Sequence, residues 1–111
     1  VGVCVRGALR GELPYLIMTG GTSPLGTIGY LNAAFELAEQ VRAGELPEPA
    51  KVFAPLGSGG TVAGLALGLR LAGLRTRTVA VTVTDILSPS RRKLCRLANS
   101  SWNRLRRLAA N

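Results

Sequence analysis

The sequence predicts an α/β protein: a parallel sheet in three layers, with strands and helices in the order βαβαβα. Three observations predict it. Short apolar runs alternate with stretches of helical periodicity. The run Thr78 to Thr84 is β-branched and continuous, as in strands covered on both faces. The connections between runs are short and carry glycine or proline.

Leu13 to Met18 is a short apolar run ending at Gly20-Gly21, and it reads as a buried strand. Thr22-Ser23-Pro24 then offers a hydroxyl cap followed by proline at the first helical position. Ile28, Leu31, Ala34, Phe35, Ala38 and Val41 recur on one helical face, and Gly44 and Pro47 stop the helix. The next strand is Lys51 to Ala54, with Pro55-Leu56 leading into Gly57-Ser58-Gly59-Gly60-Thr61. A second helix runs from about Thr61 to Ala72 and ends at Gly73. It is apolar almost all round, so burial is expected, with Gly64 and Gly68 allowing close approach to the sheet. After the strand Thr78 to Thr84, Asp85 reads as a cap, together with Ser88, for a last helix over Ser90 to Leu108. Leu94, Ala98, Leu105 and Leu108 are expected on its inner face. Right-handed crossovers would put both glycine-bearing loops at the carboxyl edge of the strands, where ligands bind in such sheets.

The 111 residues suit one domain or part of one, taken as a single unit over 1–111. A hydrophobic share of 47% against 18% charged residues excludes a disordered chain. The chain opens on Val1 with no basic leader before an apolar run, and reads as a piece cut from something longer. Its most apolar window, Thr61 to Leu74, is broken by Arg70 and too short to cross a bilayer, so no membrane partner is expected. Cys4 and Cys95 form no disulfide framework, which points to a reducing, cytoplasmic setting. The absence of histidine removes the commonest metal ligand and any Ser-His-Asp or Cys-His arrangement, so no metal is expected. Net charge is +8, and from Leu56 onward Asp85 is the only acid against ten Lys or Arg. Most of these lie between Arg91 and Arg107 and read as a solvated helix face, without the aromatic interleaving of a nucleic-acid module.

The chemistry is in Gly57-Ser58-Gly59-Gly60-Thr61, between a strand and a helix. Successive glycines let backbone N–H groups converge, the helix start adds partial positive charge, and Ser58 and Thr61 can donate hydroxyl hydrogen bonds. This predicts an anion site, and phosphate is the anion such loops hold. The nucleoside-triphosphate pattern fails because no lysine follows. A dinucleotide loop is the alternative: Gly57 and Gly59 fit, Val62 stands in the third glycine's place, and Asp85 lies where a ribose-binding acid would be.

Gly57 to Leu65 resembles the phosphate loop of fold-type II pyridoxal-phosphate enzymes, in the branch of D-cysteine desulfhydrase and 1-aminocyclopropane-1-carboxylate deaminase. Pro14 to Ile17, Gly20-Gly21-Thr22, Leu25-Gly26 and Gly29-Tyr30 resemble the segment before that loop, and Glu36 and Gln40 fall where that family's helix often has them. The strand Val79 to Thr84 and the helix after it extend the similarity, which runs from about Leu13 to Leu108. The resemblance implies pyridoxal 5'-phosphate as cofactor, held at its phosphate by Gly57, Ser58, Gly59, Gly60 and Thr61, with Gly20, Gly21 and Thr22 near the cofactor's edge. It implies a lyase or deaminase acting on a small amino acid, in a full-length enzyme that is a homodimer. Leu56 departs from the family, which more often has a small hydroxyl residue or cysteine there.

Such enzymes hold the cofactor through a lysine. The chain has only Lys51, which precedes its strand at the edge opposite the loop, and Lys93, among arginines on a surface helix. By the resemblance, the family's lysine lies N-terminal to this sequence, and the residues facing the pyridine nitrogen lie C-terminal to it. No residue here is therefore assigned a catalytic role, and the chain alone is expected to be inactive. A dinucleotide-binding oxidoreductase domain and a basic nucleic-acid module remain as the alternatives.

Overall fold

The computed structural model describes residues 17, 19–84 and 88–110. The expected first strand, Leu13 to Met18, and Asp85 lie outside this set, apart from Ile17. A short turn of 3-10 type, Thr19–Gly21, leads into α1 (Pro24–Arg42). Ser23 caps α1 as its sequence predicts: its backbone is extended, its Oγ accepts the Gly26 N–H at 2.9 Å, and Pro24 opens the helix. Gly44, at φ +76°, lets the chain leave: its N–H reaches the Val41 carbonyl at 3.1 Å and the Glu45 N–H reaches that of Gln40 at 3.0 Å.

Strand β1 (Lys51–Leu56) runs two residues further than expected, through Pro55 and Leu56. Helix α2 (Gly60–Leu71) connects it to β2 (Arg77–Thr82), and the strands pair in parallel from Lys51 opposite Arg77 to Leu56 opposite Thr82. The entrances of the strands are tied together. The Thr76 hydroxyl donates to the Pro49 carbonyl at 2.7 Å, the Arg77 N–H to that of Ala50 at 3.1 Å, and the Arg75 N–H to the Glu48 carboxylate. Helix α3 (Arg91–Ala109) follows, capped by Ser90 rather than Ser88: the Ser90 Oγ accepts the Lys93 N–H at 3.4 Å.

The α/β class with parallel strands is observed, and α2 covers one face of the sheet. Ala54 and Leu56 pack there with Val62, and Leu65 and Leu94 close the cluster. The other face carries Phe53, Val81 and Val83, all exposed, so the described residues hold one helical side of the three-layer arrangement. Helix α1 lies on α2, and α3 packs on both.

The α1–α2 contact differs from expectation in a way the glycines explain. A Cβ on Gly64 would come within 2.6 Å of the Thr27 carbonyl, and one on Gly68 within 2.6 Å of Ala34 Cβ and 3.0 Å of Leu31 Cα. These glycines therefore admit α1, not the sheet. The buried face of α1 is Thr27, Leu31, Ala34 and Ala38, so Thr27 replaces Phe35, which is exposed. Helix α2 is buried on two sides only; Ala66, Arg70 and Leu71 face solvent. On α3, Leu108 is exposed, while Ser101 is fully buried and donates to the Leu97 carbonyl at 2.9 Å. A small residue is needed where α3 crosses the other helices, and a Ser hydroxyl returned to its own helix leaves no polar atom unsatisfied.

Candidate functional site

At the carboxyl end of β1 the chain turns through Gly57, Ser58 and Gly59 into α2, and the Val83 N–H donates to the Leu56 carbonyl at 3.3 Å, holding the strand ends together. Gly59 caps α2 at φ +95° without any side-chain cap. The first bond of the α2 ladder runs from the Ala63 N–H to the Gly59 carbonyl at 3.0 Å, so the amides of Gly60, Thr61 and Val62 lie ahead of it. Behind the loop stands α3: a Cβ on Gly59 would come within 2.6 Å of Leu94 Cδ2 and 2.8 Å of Pro89 Cγ. Gly59 and Gly60 are buried, Gly57 and Thr61 half-buried, and Ser58 exposed.

In front stands the Gly20–Thr22 turn. The Thr22 and Ser58 hydroxyls are hydrogen-bonded to each other at 2.5 Å across 36 positions of sequence. Gly20, at φ +72°, leaves the room for this: a Cβ there would collide with Ser58 Oγ. Above Gly60, Thr22 Oγ1 and Thr27 Oγ1 lie 3.2 and 3.7 Å from where a Cβ would be. Thr27 is fully buried, and its hydroxyl has no hydrogen-bond partner.

The loop expected to bind an anion and the Gly20-Gly21-Thr22 stretch expected beside it are thus brought into contact. Sequence reasoning missed the Thr22–Ser58 bond, the buried Thr27 hydroxyl, and the wall of Pro89 and Leu94. Only Leu94 carried a signal, its helical periodicity. Lys51 is exposed at the far end of β1 from the loop, about 17 Å back along the strand at the usual rise per residue. Lys93 is exposed on the first turn of α3.

Compared with known proteins, residues 5–101 match the family described as pyridoxal-phosphate dependent enzyme. The chain belongs to this family. Among solved structures, a crystal structure of an ACC deaminase homologue superimposes with a TM-score of 0.71 at 28% identity, covering 92% of this chain and 30% of that one. The bifunctional D-cysteine desulfhydrase/1-aminocyclopropane-1-carboxylate deaminase, mitochondrial, of Arabidopsis thaliana is 41% identical over 79 residues, 68% of this chain and 19% of that protein. Nocardicin C-9' epimerase of Nocardia uniformis is 43% identical over 74 residues, 67% of this chain and 22% of that protein. The chain spans about a fifth of the length of the curated relatives it matches.

Membership in the pyridoxal-phosphate family makes pyridoxal phosphate, and not a dinucleotide, the family's cofactor. Val62, in the place of a dinucleotide loop's third glycine, is packed in the core. The residues present fit the cofactor's phosphate monoester. Amides ahead of a helix ladder follow the exposed Ser58 hydroxyl, and no carboxylate occurs between Glu48 and Asp85 in sequence. None of the described helices is long and apolar enough to cross a membrane.

Proposed function

We propose that this chain is the phosphate-holding part, over 1–111, of a pyridoxal-phosphate-dependent lyase or deaminase acting on a small amino acid. Gly57, Ser58, Gly59, Gly60 and Thr61 form the cradle. The observation that carries this reading is the junction of β1 and α2, where the unpaired first-turn amides and the Ser58 hydroxyl converge opposite Thr22. The loop amides bind the phosphate oxygens and Ser58 and Thr61 donate to them, while Gly59 and Gly60 let the loop fit closely between Pro89 and Leu94 on one side and Thr22 and Thr27 on the other. The cofactor, when bound, supplies an electron-withdrawing ring that stabilises charge at the substrate's α-carbon. Proton transfer and the cofactor's covalent anchor fall to residues outside this sequence, so the chain alone turns over no substrate. The whole enzyme is read as a cytoplasmic homodimer.

The reaction itself is set elsewhere. One relative is named an epimerase and another a desulfhydrase/deaminase, yet both resemble this chain at just over 40% identity. A part that grips the phosphate, remote from the reacting carbon, is shared by enzymes of different outcome.

Titration of the chain with pyridoxal phosphate, followed by cofactor absorbance, tests the reading, with pyridoxal as the control lacking phosphate. Saturable binding, weakened about tenfold by Ser58→Ala and absent with pyridoxal, is the expected result for loss of one charge-assisted hydrogen bond. Borohydride reduction is expected to leave no adduct that depends on the loop. A loop-dependent adduct on Lys51 or Lys93 would put the anchor inside this chain, and equal affinity for pyridoxal would sink the phosphate role.

A further inference from the structure

The Thr22 and Ser58 hydroxyls share one hydrogen bond, and an anion at the loop selects the direction in which Thr22 donates. A serine hydroxyl has one proton to give and two lone pairs to accept with. With Thr22 as the donor of this bond, Ser58 Oγ accepts and keeps its own proton for an anion; with Ser58 as the donor, that proton is already spent on Thr22. A free hydroxyl rotor points in several directions, whereas one pinned from behind by a donor presents its proton away from that donor. Ser58 is exposed at the mouth of the loop, so a proton kept in this way is available to an incoming anion.

Two further observations fix the arrangement. Gly20 makes the room that Ser58 Oγ occupies, since a side chain at 20 would take the same volume, and its φ of +72° disfavours one as well. Thr22 also closes over Gly60, at the start of α2, with Oγ1 3.2 Å from where that residue's Cβ would stand. The turn before α1 and the loop before α2 are thus interlocked at two points, far apart in sequence.

We infer that Thr22 is a positioning residue for phosphate recognition: it holds Ser58 as a hydrogen-bond donor toward the phosphate monoester of the cofactor. The inference rests on the proposed role of the loop and assigns to the Gly20–Thr22 turn a task of its own. Thr22 does not touch the phosphate; its effect passes through Ser58.

A double-mutant cycle on the whole chain tests this, reading pyridoxal-phosphate affinity and the phosphorus NMR shift of the bound phosphate. Thr22→Val is expected to weaken binding about tenfold and to move the phosphorus resonance toward that seen with Ser58→Ala. Thr22→Ser, which keeps the hydroxyl, is expected to restore both. In a Ser58→Ala background, Thr22→Val is expected to change affinity less than twofold. An equal loss in both backgrounds would overturn the inference, because Thr22 would then act without Ser58. So would failure of Thr22→Ser to restore the phosphorus shift. If Ser58→Ala leaves affinity unchanged, the loop reading itself fails, a result distinguishable from either of these. Should Thr22→Val not fold, judged by circular dichroism, Thr22→Ala takes its place in the cycle.

Discussion

Ser58 and Gly59 are neighbours with different tasks, and a mutation at one cannot stand in for the other. Ser58 is exposed and held by a single side-chain bond, so its truncation removes a donor while leaving the backbone in place. Gly59 is at φ +95° with Leu94 and Pro89 against its α-carbon. Gly59→Ala therefore adds backbone strain of about 1 kcal/mol or more to an overpacking cost of about 1–3 kcal/mol. It is expected to lower the unfolding midpoint in urea, whatever it does to phosphate. A stability unchanged from the parent would mean that the loop relaxes freely. Ser23 offers a cleaner local test: Ser23→Ala removes the acceptor for the Gly26 N–H and is expected to cost about 1 kcal/mol in the same denaturation. The place of the glycine loop was legible at this scale because glycines between an apolar run and a helical stretch dictate a turn there. The Thr22–Ser58 bond was not, since nothing local in either stretch indicates that a hydroxyl across 36 positions will meet it.

Among the elements, the helices found their places by different routes. The start and end of α1 were readable because caps are local: a hydroxyl before proline, and a glycine where φ must turn positive. Which face α1 buries was read less well. Periodicity favoured the larger Ile28 and Phe35, whereas the seam with α2 is built from small residues around Gly64 and Gly68. Two substitutions separate propensity from packing. Gly29 in α1 meets nothing within 4 Å, so Gly29→Ala is expected to gain up to about 1 kcal/mol of stability from helix propensity alone. Gly68→Ala has the same propensity gain but would press against Ala34 Cβ and Leu31 Cα, and a net loss of about 1–2 kcal/mol is expected. Thermal or urea unfolding of both variants checks the pair. If Gly68→Ala were also stabilising, the two helices would not be in the close contact described. The far ends of these helices are joined too, by the Arg42 guanidinium donating to the Ala72 carbonyl at 2.7 Å.

At the scale of the whole molecule, one helical layer and an open sheet face remain. Phe53 is 66% exposed and Val83 63%, beside Val81 on the same side of the strands. A continuous β-branched strand is a statement about two covered faces, and among the described residues only one is covered. That cover could not be read from this sequence, which spans about a fifth of its relatives' length. The chain on its own is expected to associate as its concentration rises, since an apolar face of this kind favours contact. Sedimentation at several concentrations measures this, and Phe53→Lys is expected to shift the population toward monomer. A monomeric parent at all concentrations would contradict it. The wall behind the glycine loop has a consequence in time as well as space. Pro89 and Leu94, which back Gly59, are made after the loop itself, by an interval on the order of seconds at ribosomal rates. During that interval a nascent chain carries the complete Gly57–Thr61 signature but not the surroundings that give it shape, and a chain released before Pro89 would keep it in that condition for good.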